Sequence, residues 1–253
     1  MSETAVLPTR KDEDWRYSAV GKLTPADLDH HHTIRVEADE KYRDCIVIDD
    51  IRVASGTDAI VRYEIDLQPG ARCDLFAVLA ASDFARVQID VRLGRGAHFE
   101  FGGITVGGRD TVREFVTHAV HAEPEATSNQ TIRSVHWGQG TGNFLGRIDV
   151  VRDAQKTDAA QSFKGLLLDK GASVNCVPQL EIFADDVKCA HGATVGQLDE
   201  SARYYMASRG LSPEQSRRLL VQAFIGDALV AMDDESERER LMQVALDKLD
   251  RHL

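Results

Sequence analysis

The chain has 253 residues, of which 43% are hydrophobic and 28% charged, ordinary globular values that exclude a wholly disordered polypeptide. Its formal net charge of -11 disfavours nucleic acid as a partner, because phosphate binding needs a basic surface. No apolar run reaches the length of a membrane span and the first residues carry no signal-peptide core, so a cytoplasmic protein away from membranes is expected.

Residues before about Lys22 are polar, with the acidic run Asp12-Glu13-Asp14 ahead of Trp15 and Tyr17. A flexible start is predicted, followed by an anchoring segment in which Trp15 docks on the body of the protein. Thr24-Pro25 supplies an N-cap and a proline at the first helical position, so a short helical turn begins there. Three adjacent histidines, His30 to His32, cannot all face one ion from a regular strand, and they are not read as a metal site.

From Thr33 onward the pattern is strand-like. Cys45 to Ile48 forms one strand, followed by a polar turn at Asp49-Asp50; Val61 to Leu67 alternates apolar and charged residues and ends at Gln68-Pro69-Gly70. Strands follow at 75–79 and 86–93, and Gly94-Arg95-Gly96 resets the chain without forming a nucleotide loop. Further strands are predicted at 98–106, 112–121, 130–137, 144–151 and 160–168. Short strands with almost no helical periodicity between them fit a sandwich, a barrel or a β-solenoid. Ile132, Ile148, Leu166 and Ile182 recur at intervals of about sixteen to eighteen residues, a rung-like spacing that favours stacked coils. The four cysteines, Cys45, Cys73, Cys176 and Cys189, form no C-x-x-C, so free thiols are expected rather than a disulfide framework or a zinc ribbon.

The stretch PQLEIFADDVKCAHGATVGQL, from Pro178 to Leu198, reads as two short strands joined by a turn at Ala184-Asp185-Asp186, with Leu180, Ile182 and Val187 giving the strand signal. Cys189 and His191 stand at i and i+2, on one face of an extended segment. A thiolate beside an imidazole can serve a metal, an iron–sulfur cluster or a Cys–His nucleophile; a buried thiol next to a structural histidine has the same signature.

After Leu198 the pattern turns helical. A first helix begins near Asp199 and ends at Arg209-Gly210, and Ser212-Pro213-Glu214-Gln215 is a capping-box start. The helix it opens carries Leu219, Leu220, Ala223, Phe224, Ala228 and Leu229; after Asp233-Asp234 a last one carries Leu241, Met242, Ala245, Leu246 and Leu249. The last two are expected to pair as a hairpin that caps the β-body. Three segments result: 1–32, a β core at 33–197, and helices at 198–253.

The wording FLGRIDVVRDAQKTDAAQSFKGLLL, PQLEIFADDVKCAHGATVGQLDE and YYMASRGLS, spanning about 129–224, closely resembles the SufB/SufD family, and DEDWRYS resembles the Trp-x-Tyr-Ser/Thr signature near the start of many SufD chains. The resemblance implies a mainly β fold, a right-handed parallel β-helix with a C-terminal helical subdomain. It implies a scaffold of the SUF machinery carrying a transient iron–sulfur cluster. Family members are usually much longer, so this chain resembles a compact version lacking much of the N-terminal half. Cys189 and His191 match the SufD Cys-x-His motif. Cys176 is the thiol nearest the place of the SufB assembly cysteine, although its offset from Pro178 does not match, and the carboxylate of Glu181 could complete a labile ligand set. The implied partners are a SufC-like ABC ATPase, with anchors among Leu219, Phe224 and Leu229, and either a second copy or a SufB-like paralogue, with Gly192 to Gly196 near the seam. No nucleotide-binding motif is present, so no intrinsic ATPase activity is expected. The competing reading is a β-solenoid enzyme using Asp153, Asp158, Asp185, Asp186 and His191. Against it, the acidic pairs sit at turns, where Asp is favoured for local hydrogen bonding alone.

Overall fold

The computed structural model describes residues 7–28, 30–54, 59–81 and 83–251. Twelve strands follow in order: β1 (His31–Val36), β2 (Lys41–Ile48), β3 (Ile60–Leu67), β4 (Arg72–Leu79), β5 (Ala85–Leu93), β6 (His98–Gly107), β7 (Val112–His121), β8 (Thr127–His136), β9 (Thr141–Val150), β10 (Asp158–Leu167), β11 (Ser173–Ile182) and β12 (Lys188–Gly196). Odd strands form one six-stranded sheet and even strands another, every neighbouring pair parallel. The chain therefore winds as a β-solenoid, each turn laying one strand on each sheet. Arg72, His98, Thr127, Asp158 and Lys188 stack in register, so one turn takes about thirty residues. The shorter interval read from Ile132, Ile148, Leu166 and Ile182 is half a turn, because these residues alternate between the sheets.

What bends the chain from the odd sheet to the even one is a repeated turn. Asp39, Gly70, Gly96, Glu125 and Lys156 occupy it in successive turns, all with φ between 60° and 71°. Each backbone N–H donates to the carbonyl of the next turn, on Pro69, Arg95, Pro124, Gln155 and Asp186 respectively. These stacked bonds hold the left-handed conformation even where the residue has a Cβ and would otherwise avoid it. Ala71, Ala97 and Ala126 follow three of these turn residues and point into a fully buried core.

Alternation inside the strands sends one side-chain row into the lumen between the sheets. Phe99, Phe101, Phe115, Phe144 and Phe163 fill it, with Phe101 and Phe115 edge to face at 5.2 Å and Phe144 stacked on Phe163 at 5.8 Å. The opposite face of the odd sheet is covered by the N-terminal segment. Trp15 lies 3.8 Å from the buried Arg86 guanidinium, and Arg86 pairs with the equally buried Glu114 at 2.9 Å while donating to the carbonyl of Asp14. Trp15 thus docks as its composition suggested, and Thr24-Pro25 leads into a short 3-10 turn at Pro25–Leu28.

The outer face of the even sheet is covered by helices. Helix α1 (Asp50–Ala54) stands where the sequence suggested only a polar turn; α2 (Glu200–Ser208), α3 (Pro213–Gly226) and α4 (Glu235–Asp250) follow the strands. Ser212 accepts from the Gln215 backbone N–H and Gln215 returns the bond, the capping box read from the sequence. From α3, the 3-10 turn after it and α4, Val221, Ile225, Leu229, Leu241, Ala245 and Leu249 seal against Phe76, Val78, Ile104, Val106 and Val135. The helices therefore flank the solenoid rather than close its end. Gly102 permits the close approach: a Cβ there would lie 2.0 Å from the Ala228 carbonyl oxygen.

Candidate functional site

The last turn, β11 and β12, is one open end of the solenoid, opposite the β1 and β2 end. Every residue of β12 is exposed except the half-buried Cys189, and β11 has no fully buried residue. Each of these strands pairs on one side only, β11 with β9 and β12 with β10. An edge strand of this kind presents a row of N–H and C=O groups able to join another chain. A Cβ added at Gly192 or Gly196 would meet nothing within 4 Å, so neither glycine is required by crowding within the chain.

Three of the four residues nominated for metal or cluster chemistry face the lumen of this open turn. Cys176 on β11 is in register with the core residue Phe144, and its thiol packs against the lumen cluster. Cys189 on β12 is in register with Ala159 and packs against the same cluster from the other sheet. His191, two residues on, shares the face of Cys189, aligned with the buried Gln161, and is exposed. Glu181 falls on the opposite face of β11. Its carboxylate accepts from the Arg147 guanidinium on the outer side of the odd sheet, where Arg147 also holds Asp149 at 2.7 Å and Asp149 meets His118 at 2.7 Å. Strand alternation separates Glu181 from the thiols.

Burial pushes the Cys176 thiol up to about 12. Burial also raises Cys189, and the nearby carboxylate of Asp158 adds to the effect. Both cysteines are therefore thiols at neutral pH, and binding a metal must release their protons. Among the described residues no three His, Cys, Asp or Glu side chains gather closely enough to hold a metal ion. One chain offers a thiol and an imidazole at an open edge, donors suited to iron–sulfur ligation but too few to complete a cluster.

The other nominated residues are placed as follows. Leu229 is fully buried against the even sheet and is unavailable as a docking anchor, Phe224 is half-buried on the same cluster, and Leu219 is 42% exposed. Of the residues picked out by apolar spacing, Ala228 and Leu229 are buried and Phe224 is half-buried on the same cluster, while within α3 the fully buried apolar residues are Val221 and Ile225 rather than Leu219, Leu220 or Ala223. Asp153, Asp185 and Asp186 sit in turns, while Asp158 opens β10. Sequence reading missed Gln161 and Gln130, polar residues buried in the lumen in one file with His191. Their signal was the turn repeat, which sets the offset between stacked positions.

The family model described as SUF system FeS cluster assembly, SufBD core domain, matches residues 51–224. The chain belongs to the SufBD family. The iron–sulfur cluster assembly protein SufD of Escherichia coli K12 is 32% identical over 149 residues, covering 59% of this chain and 35% of that protein. An iron–sulfur cluster assembly SufBD family protein of Synechocystis is 36% identical over 145 residues, 57% of this chain and 32% of its own length. Protein ABCI7, chloroplastic, of Arabidopsis thaliana is 36% identical over 118 residues, covering 46% of this chain and 25% of that protein. In these relatives the matched stretch is between a quarter and about a third of the protein. Among the described residues no helix is long and apolar enough to cross a membrane.

Proposed function

We propose that this SufBD family chain is a scaffold of iron–sulfur cluster assembly, holding a nascent cluster as its cargo at the seam between two open solenoid ends. The observation that carries the reading is the last turn, where Cys189 and His191 share the lumen face of an unpaired edge. Two chains meeting there about a two-fold axis supply two thiolates and two imidazoles, a complete four-ligand set. A mixed set of this kind binds less tightly than four thiolates and so suits release to acceptor proteins. Cys176 faces the same lumen from the other sheet and is the reserve thiol. The second chain is a copy of this one or a SufB-like paralogue, paired through β12 near Gly192 to Gly196.

The chain acts without catalysing a reaction of its own, in the cytoplasm, and its motive partner is a SufC-like ABC ATPase docked on the helices. With Leu229 sealed in the core, Leu219 is the large apolar residue of α3 left exposed to face that partner, with the rim of Phe224 beside it. The test of the cargo site is anaerobic reconstitution with iron and sulfide of the parent beside Cys189→Ser, His191→Ala and Cys176→Ser. Loss of iron, sulfide and visible absorbance in the first two is expected. Full content in both sinks the site, and loss in Cys176→Ser alone moves it to β11.

A further inference from the structure

Gln161 sits inside the solenoid on β10, directly beside His191 of the open edge in the parallel register. It is 3% exposed, and neither its Nε2 nor its Oε1 has a hydrogen-bond partner. Leaving such atoms buried and unmet is costly, so a buried amide of this kind is expected to serve a partner. The lumen keeps room for it: Gly146 on the facing sheet has no Cβ, and one added there would come within 2.8 Å of Gln161 Oε1. Neighbouring strands run about 4.8 Å apart, which brings the imidazole of an aligned histidine within a rotamer change of the amide.

We propose that Gln161 is the positioning residue of His191, its Oε1 accepting a hydrogen bond from one imidazole N–H and leaving the other ring nitrogen turned outward for iron. The proposal rests on His191 being a ligand of the cargo cluster. A histidine that binds a metal through one nitrogen is held in orientation by what its other N–H meets, and the lumen offers this amide in the adjacent register position. Gln130, next in the same file and also buried with its amide unmet, is the competing partner for Gln161.

The test uses the full chain labelled with nitrogen-15 at histidine, the His191 signal being assigned by its loss in His191→Ala. Long-range nitrogen–proton spectra at a pH where the ring is neutral read its tautomer. The parent holds a single tautomer, and Gln161→Met, which replaces the amide by an apolar chain of similar shape, shows a mixture. Because that change exchanges one hydrogen bond and one unmet buried donor for an apolar chain, its thermal midpoint stays close to the parent's, whereas iron leaves the reconstituted protein about ten to a hundred times faster. Gln161→Asn, which withdraws the amide by one methylene, gives the same mixture should the methionine variant be unstable. An unchanged tautomer in both variants, or the same mixture in Gln130→Met, overturns the proposal. A tautomer mixture with unaltered iron retention instead removes His191 from the ligand set, so the two readings fail separately.

Discussion

Two buried histidines set how the folded chain responds to acid. His136 is fully enclosed, its Nδ1–H donating to the Gly107 carbonyl at 3.1 Å, and burial with Arg113 nearby pushes its pKa from 6.5 down to about 3. His121, 2.9 Å from the Ser128 hydroxyl, is pushed by burial down to about 4. At pH 7 both are neutral in the folded chain and mostly neutral in the unfolded one, so they contribute little pH dependence there. Below 6.5 the unfolded chain takes up protons that the folded one refuses, so stability falls with pH until about 4 for His121 and 3 for His136. The slope is about 1.4 kcal/mol per pH unit for each histidine. Urea midpoints measured from pH 7 to pH 4.5 should fall steeply in the parent and less in His121→Asn; equal slopes would refute the assignment. Neither histidine stands out in the sequence, where burial depth is invisible. Cys189 and His191 were legible because two residues apart in a strand means one face, whatever the fold. For Glu181 the same rule applies in reverse: its odd offset from Cys176 already set them on opposite faces, once Ser173–Ile182 is a single strand.

At the level of elements, two contacts decide how the helices sit. The bare Gly102 backbone lets the turn at Ala228 rest on the even sheet, beside the ion pair of Arg133 with Asp227 at 3.0 Å. Gly102→Ala should cost about 1–3 kcal/mol by overpacking, read as a lowered thermal midpoint; an unchanged midpoint would mean that the helices ride further from the sheet. Leu219 and Leu229 separate docking from stability. Leu229→Ala should destabilise by about 2–5 kcal/mol, whereas Leu219→Asp should stay within about 0.5 kcal/mol of the parent and reduce co-purification with the ATPase. Retained co-purification in Leu219→Asp would take the docking surface off this face of α3. Truncation after Leu211 is a poorer test, since it would bare Phe76, Val78 and Ile104 of the even sheet. The stripe of α4 was legible, with Leu241, Ala245, Leu246 and Leu249 buried as spaced. That of α3 was legible only in its continuation, Ala228 and Leu229, because the helix has contacts with α2, α4 and β8, and apolar residues occur on more than one side.

For the whole molecule, the strands could be found from alternation, but the winding could not be counted. The repeated left-handed turn is filled by Asp39, Gly70, Gly96, Glu125 and Lys156, and only two of the five are glycines. A signal carried by backbone hydrogen bonds between turns leaves no fixed residue type in the chain. The consequence of that winding is an open end whose edge strands and cargo donors coincide. In the proposed assembly, pairing two such ends would satisfy the edges and complete the ligand set in one step. Native mass spectrometry of the anaerobically reconstituted chain tests this most directly. A species of two chains carrying one cluster is expected, with the cluster and the pairing lost together in His191→Ala. A single chain holding a full cluster would contradict it.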